Sequence, residues 1–406
     1  MHPSLDPAAC SGFSRRTFFR FAAGASALAA SLPMMTESRL ALAERPKFAD
    51  PNIGIHIDAN ENPMGPSEAA RQAMADILPK GGRYLFDMQE ELAEIFAKIE
   101  GLDPESVLPF AGSTEPLHYT VLSFTGKDRP LVIADPGYEA PIWAAQVSGA
   151  PVLKVPLADP KGSATHDIKA MLAAASAPGV IYICNPNNPT GTPTPRADIE
   201  YAVANAPKGT ILLIDEAYIH LSDATPSLDF VKEGKDVIVL RTFSKLYGMA
   251  GIRMGLAVAR PDLLAKITPL SGQNSLPITA LAAAKASLLD KDLVPTRKKI
   301  IGDIRAENLA WLNSAGYATT PSISNCFMLD VKRPGKEVLA AMATRQIFIG
   351  RIWPAWPNCV RITVGTRDEM AAFRKAFTEV MSSSTAGLIA PPLPRRLAEH
   401  PFTHLS

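Results

Sequence analysis

Short apolar runs rich in Val and Ile alternate with Ala-rich stretches of helical spacing through the middle of this chain. Runs of that length, bounded by turn formers, suit strands buried on both faces, and the gaps between them hold a crossover helix. That is the texture of parallel βαβ units. The pattern predicts strands at Leu131–Ala134, Val152–Val155, Val180–Ile183, Ile211–Ile214 and Val237–Leu240. From about Pro277 the texture changes: Ile278–Leu289 reads as a helix, Lys298–Ala315 as a longer charged helix and Cys326–Val331 as a strand. The expected fold class is therefore α/β, with a large domain built on a mostly parallel sheet and a smaller α+β domain after it. No internal repeat is visible.

Both ends depart from this pattern. Ser14-Arg15-Arg16-Thr17-Phe18-Phe19-Arg20 precedes a weakly hydrophobic, Ala-rich stretch from Phe21 to Met35. A membrane-spanning helix needs roughly 20 apolar residues. This run ends near Pro33, and Ala41-Leu42-Ala43 offers small residues for cleavage. The motif resembles the twin-arginine export signal, which implies the twin-arginine translocase as a transient partner and a periplasmic or otherwise extracytoplasmic location. An amphipathic helix kept on the protein is the other reading. The opposite end, Ile389-Ala390-Pro391-Pro392-Leu393-Pro394-Arg395-Arg396, lacks helical period and reads as a mobile tail. The expected organisation is a signal over 1–43, an arm over 44–65, a large domain over 66–285, a small domain over 286–384 and a tail over 385–406.

Composition narrows the function. With 406 residues, 47% hydrophobic and 20% charged, the chain can bury two domains, which sets disorder aside. A net charge of +1 without a long basic run gives no footprint for nucleic acid or an anionic membrane, so the partner is expected to be small. Cys10, Cys184, Cys326 and Cys359 lack metal-type spacing, so no metal is expected; Cys10 lies in the expected signal, and the other three are expected to be buried thiols packed as small hydrophobes rather than to form a disulfide.

The chemically suggestive residues fall at strand ends, where open α/β sheets gather reactive groups. Val237–Leu240 runs into Arg241-Thr242-Phe243-Ser244-Lys245-Leu246-Tyr247-Gly248. A desolvated lysine placed there can condense with an aldehyde and later move a proton, although a single lysine in such a loop, taken alone, is more often structural. The Ile211–Ile214 strand ends in Asp215-Glu216-Ala217-Tyr218, where Asp215 suits a protonated cofactor ring nitrogen or, alternatively, a helix cap. Asn185-Pro186-Asn187-Asn188-Pro189-Thr190-Gly191 is dense in turn formers, but an amide there could donate to a ring oxygen. Ala111-Gly112-Ser113-Thr114 reads as a turn into a helix start, a place for phosphate, and Arg253 could complete it.

Taken together, Asp58-Ala59-Asn60-Glu61-Asn62-Pro63, Asn187-Asn188-Pro189-Thr190-Gly191, Asp215-Glu216-Ala217-Tyr218, Ser244-Lys245 with Arg253, and Arg361-Ile362-Thr363-Val364-Gly365 resemble the class I/II aminotransferases, most closely the histidinol-phosphate aminotransferase branch. The resemblance runs from about Asp58 to Thr366 and implies the fold-type-I transferase scaffold with pyridoxal 5′-phosphate (PLP) as cofactor. It implies that Lys245 forms the Schiff base, Asp215 pairs with the pyridinium, and Asn188 and Tyr218 bond the ring oxygen. Tyr138 would stack on the ring, while Ser113, Thr114, Ser244 and Arg253 would hold the phosphate. Tyr84 would reach the phosphate of a second subunit, implying a homodimer. Arg361 would clamp the substrate carboxylate, with Arg351 and Asn60 on the substrate side; Trp353 and Trp356, outside the resemblance, read either as ordinary packing or as a substrate-side wall for a flat or apolar side chain. Arg351 sits near the position of an arginine that helps bind a substrate phosphate in histidinol-phosphate enzymes, but the aromatic Ile352–Pro357 segment departs from that pattern. The implied reaction moves an amino group from an amino acid or related amine, including those with an aromatic or imidazole side chain, to a 2-oxo acid. A decarboxylase resembling the threonine-phosphate enzymes and a non-catalytic PLP-fold binding protein are the alternatives.

Overall fold

The computed structural model describes residues 53–272 and 276–382. The expected signal, the first part of the arm and the tail lie outside the described residues. Eleven strands are present among these: β1 (Ile55–Ile57), β2 (Val107–Phe110), β3 (Leu131–Asp135), β4 (Val152–Pro156), β5 (Val180–Cys184), β6 (Ile211–Asp215), β7 (Val237–Thr242), β8 (Gly255–Ala259), β9 (Cys326–Asp330), β10 (Ile347–Ile349) and β11 (Cys359–Thr363). Each of the five strands predicted from apolar runs lies inside one of β3 to β7.

Seven strands form one sheet in the order β2-β8-β7-β6-β5-β3-β4. The pairs from β4 through β7 are parallel, whereas β8 runs antiparallel to both β7 and β2. Helices such as Ala140–Ser148 and Arg196–Asn205 make the crossovers. Every residue of β5, β6, β7 and β8 is buried, which is why these segments read as unbroken apolar runs rather than alternating ones. The sequence pattern did not single out β8. Its composition, Gly-Leu-Ala-Val-Ala, is poor in the β-branched and aromatic residues that mark strands, and tertiary pairing places it nonetheless.

The helix Ile278–Leu289 has the predicted bounds and packs against Glu68–Ile77 and Asp87–Glu100. It runs unbroken across 285/286, so the expected boundary between large and small domains falls inside a helix. The charged helix starts earlier than predicted, at Leu293, because Pro295 lies in its first turn, where a missing amide hydrogen costs no intrahelical bond. Near the C-terminus β9 pairs antiparallel with β11, and β1 pairs in parallel with β10. The arm therefore enters the fold as a strand beside residues almost three hundred positions later. Gly350 N donates to Arg361 O at 2.9 Å, joining β10 to β11 and setting Arg351 beside Arg361.

Parallel pairing puts the C-terminal ends of β3, β5, β6 and β7 along one sheet edge, the ligand edge of open α/β sheets. Phe110 at the end of β2 and Thr242 at the end of β7 both pair with Gly255. The turn after β2 is thereby brought to the same edge as the lysine loop.

Candidate active site

Lys245 lies in the loop after β7 and is buried, with Nζ donating to Asn60 O at 3.0 Å. Two clamps hold this loop: Asn62 Nδ2 and Arg297 Nη1 donate to Leu246 O at 2.8 and 3.0 Å. Gly248 closes it in a left-handed conformation (φ +70°), where a Cβ would meet Gly65 O at 2.0 Å. A lysine restrained by a packed loop is positioned rather than solvated, as a lysine following a buried strand is expected to be. Arg297 was not legible in the sequence, being one charge on a charged helix.

Asp215 ends β6 with its side chain buried. Its Oδ2 accepts from the Tyr182 hydroxyl at 2.8 Å and its Oδ1 from Ala217 N at 3.1 Å. Tyr182 faces Leu213 in the β5–β6 register, one same-face step from Asp215, so sheet geometry creates this contact. Burial pushes the Asp215 carboxyl up to about 6, against the opposing pull of the Tyr182 hydroxyl, the Ala217 amide and the Lys245 charge. The carboxylate is held by hydrogen bonds, and its ionised form is raised in energy by desolvation. A cation seated against it would restore ionisation.

Asn60 adopts a left-handed backbone (φ 53°) and is fully buried. The Thr363 hydroxyl accepts from Asn60 N at 3.0 Å and donates to Asn60 Oδ1 at 3.0 Å. That exchange fixes the amide orientation, so Asn60 Nδ2 donates to the Tyr218 hydroxyl oxygen at 3.0 Å. Its carbonyl meets Lys245, and its side chain is committed to Thr363 and Tyr218. Asn60, expected on the substrate side, contacts both the lysine and the phenol.

At the other end of the site, Arg253 (φ 67°) donates through Nη1 to Ser244 Oγ and through Nη2 to Ala111 O, both at 3.3 Å. It thus bridges the lysine loop and the turn before the helix Thr114–Phe124. Gly112 in that turn has φ +90°, and a Cβ there would lie 2.0 Å from Arg253 Nη2. The Ser113 hydroxyl makes no capping bond to its helix, and Thr114 begins the first turn. Helix amides, two hydroxyls and a guanidinium make a cradle for a phosphate.

The substrate side centres on Arg361, which is fully buried. Its Nη1 donates to Asn188 Oδ1 at 3.0 Å and its Nη2 to Asp58 O. The Trp353 indole packs against two guanidinium groups, 4.5 Å from Arg351 and 5.5 Å from Arg361, and donates from Nε1 to Gly137 O at 2.8 Å. That bond ties it to the loop carrying the buried Tyr138. Both Nη atoms of Arg351 donate to Glu139 Oε2 at 3.1 Å, a partner that sequence reasoning missed because it lies far along the chain. Tyr84 stands apart: it is 72% exposed and stacks on Phe86. Cys184, Cys326 and Cys359 form no disulfide; Cys10 lies outside the described residues.

These residues fit PLP. A buried amine, a carboxyl whose ionisation calls for a cation, a phenol oriented by an amide and a glycine turn pressed against an arginine supply the groups that its aldehyde, ring nitrogen, ring oxygen and phosphate require.

Comparison with known proteins agrees. Residues 52–377 match the family Aminotransferase class I and II. A histidinol-phosphate aminotransferase of Symbiobacterium thermophilum is 33% identical over 80% of this chain and 91% of its own length. An aromatic amino acid aminotransferase of Mycobacteroides abscessus is also 33% identical, over 79% of this chain and 91% of its own. The crystal structure of histidinol-phosphate aminotransferase from Sinorhizobium meliloti in complex with pyridoxal-5′-phosphate superposes with a TM-score of 0.76 at 26% identity, covering 91% of this chain and 98% of that one.

Proposed function

The chain belongs to the class I and II aminotransferases and works with PLP; from that premise we propose that its amino donor is an α-amino acid with a flat aromatic or imidazole side chain. The observation that carries this reading is the buried Trp353 indole packed against Arg361, which makes the surroundings of the carboxylate clamp aromatic. Relatives that act on histidinol phosphate and on aromatic amino acids support it.

PLP, when bound, supplies the carbonyl that takes up the amino group and the electron sink that stabilises charge at the substrate Cα. The chain supplies everything else. Asp215 holds a negative charge for the ring nitrogen. Asn60, by donating to the Tyr218 oxygen, holds in place the phenol that would bond the ring oxygen. Arg361 orients the donor through its carboxylate, and its bond to Asn188 couples that clamp to the ring-oxygen partner. Lys245 Nζ would move the proton at the substrate Cα, and its packed loop limits the positions it samples.

Two further proposals concern the setting. Residues Ser14 to Arg20 support export by the twin-arginine route, in which the folded protein already holds its cofactor. Replacing Arg15 and Arg16 with Lys is expected to hold the precursor in the cytoplasm, and unchanged export would contradict the proposal. The exposed Tyr84 and Phe86 support a homodimer in which Tyr84 reaches the partner's phosphate cradle. Spectra of the purified holoenzyme against a panel of amino donors test the main reading. Loss of the visible cofactor band with Phe, Tyr, Trp or His, accompanied by keto acid, is expected. Carbon dioxide release in its place would favour decarboxylation.

A further inference from the structure

The residues on both sides of Tyr138 are held by one distant segment. A Cβ at Gly137 would lie 2.4 Å from Ala134 O, so the chain leaves β3 in a turn too tight for another residue. The turn is buried, and two of its carbonyls are taken up from different directions: Asn187 Nδ2 donates to Pro136 O at 3.4 Å, and the Trp353 indole Nε1 to Gly137 O at 2.8 Å. On the far side of Tyr138, Glu139 accepts from Arg351 at 3.1 Å. Arg351 O in turn accepts from Arg361 N at 3.1 Å, which fastens the segment to β11. Trp353 is 1% exposed, so its indole is a fixed part of the fold. Phe would meet the packing there as well; the indole adds a donor, and a buried carbonyl without one is costly. The Tyr138 ring borders the ring-nitrogen end of the site. Burial foremost, then Asp215, with Tyr138 a smaller cause, push the Tyr182 hydroxyl up, so Tyr138 neighbours the bonded Tyr182 and Asp215.

We propose that Trp353 is a positioning residue for the cofactor: by bonding Gly137 O it holds the Tyr138 ring against the face of PLP, and so ties the cofactor's aromatic cover to the strand that carries Arg361. This inference rests on the reading of Tyr138 as the residue stacked on the ring and goes one step beyond it. Without the indole N–H, Gly137 O loses its partner, the turn gains freedom and part of the stacking is lost. Trp353 acts through Tyr138.

The test is a double-mutant cycle on the holoenzyme, read by PLP dissociation in equilibrium dialysis and by the visible circular dichroism of the bound cofactor, neither of which needs turnover. Trp353→Phe keeps an aromatic ring and removes the donor. It is expected to weaken PLP binding about three- to fivefold, the loss of one neutral hydrogen bond, and to reduce the dichroic band. In a Tyr138→Ala background the same substitution is expected to change PLP affinity less than about twofold, because the group it positions is gone. Full additivity, or unchanged affinity and dichroism in Trp353→Phe, would overturn the proposal. Tyr138→Ala alone keeps the two readings apart. Unchanged affinity and dichroism there would remove the stacking role and the proposal with it, whereas a loss there with none in Trp353→Phe removes only the role of Trp353. One measurement needs no variant to fold: by NMR of the native holoenzyme, the Trp353 indole N–H is expected to exchange with deuterium at least about a hundredfold more slowly than free indole. Exchange at the free rate would overturn the bond on which the proposal stands.

Discussion

Replacing Tyr182 with Phe removes the strongest of the interactions that oppose the burial of Asp215. The Tyr182 hydroxyl donates to Oδ2 at 2.8 Å, and both side chains are buried, so water cannot readily substitute. A hydrogen bond to a charged group contributes about 1.5 to 3 kcal/mol. At ~1.4 kcal/mol per pKa unit, losing it raises the Asp215 carboxyl by roughly 1 to 2 units. Starting from about 6, the midpoint would move to around 7 or 8 in Tyr182→Phe. The sign follows from linkage. A carboxyl whose folded pKa lies above its unfolded value binds more protons folded than unfolded, so apoprotein stability falls as pH rises from the unfolded value of 3.8 to about 6. In the variant that fall extends to higher pH. Difference infrared spectroscopy of the apoprotein, following the protonated carboxyl stretch with Asp215→Asn as blank, reads the midpoint directly. At neutral pH the variant is also expected to bind PLP about tenfold less tightly, because its ring-nitrogen partner is less often ionised. An infrared midpoint unmoved by the substitution would refute the reasoning.

Asn60→Ala removes one hydrogen bond from each of the buried Tyr218 and Thr363 hydroxyls and is expected to destabilise the fold by about 1 to 3 kcal/mol, read as a lower denaturant midpoint; a change below ~0.5 kcal/mol would count against its positioning role. Gly112→Ala places a Cβ 2.0 Å from Arg253 Nη2 at a left-handed position, so equilibrium dialysis should show PLP affinity falling at least about tenfold. Arg361→Lys exchanges a planar fork for a point charge and is expected to cost about 2 to 3 kcal/mol, roughly a hundredfold in kcat/KM, while the cofactor band of the resting enzyme is kept.

The order of βαβ units was legible because the central strands, buried on both faces, are continuous apolar runs with few alternatives. The lysine loop, Asp215 and the phosphate turn were legible because strand ends concentrate such groups. What escaped were contacts made across long sequence separations. Tyr182 reads as one more apolar residue of β5, and only the register with β6 turns its hydroxyl to Asp215. Glu139 and Arg351 are separated by 212 residues and carry no local signature of one another. Asn60 was noticed as part of a motif, but its role depends on a left-handed backbone and on Thr363, 303 residues away. Strand β8, built of Gly, Ala, Leu and Val, exists because β7 and β2 pair with it rather than because of its own propensity.

The central claim, that Lys245 carries the cofactor, is tested most directly by borohydride reduction of the holoenzyme followed by proteolysis and peptide mass analysis. The account predicts a pyridoxyl group fixed on Lys245 and lost in Lys245→Ala. Label on a different lysine, or a borohydride-fixed cofactor persisting in Lys245→Ala, would contradict it.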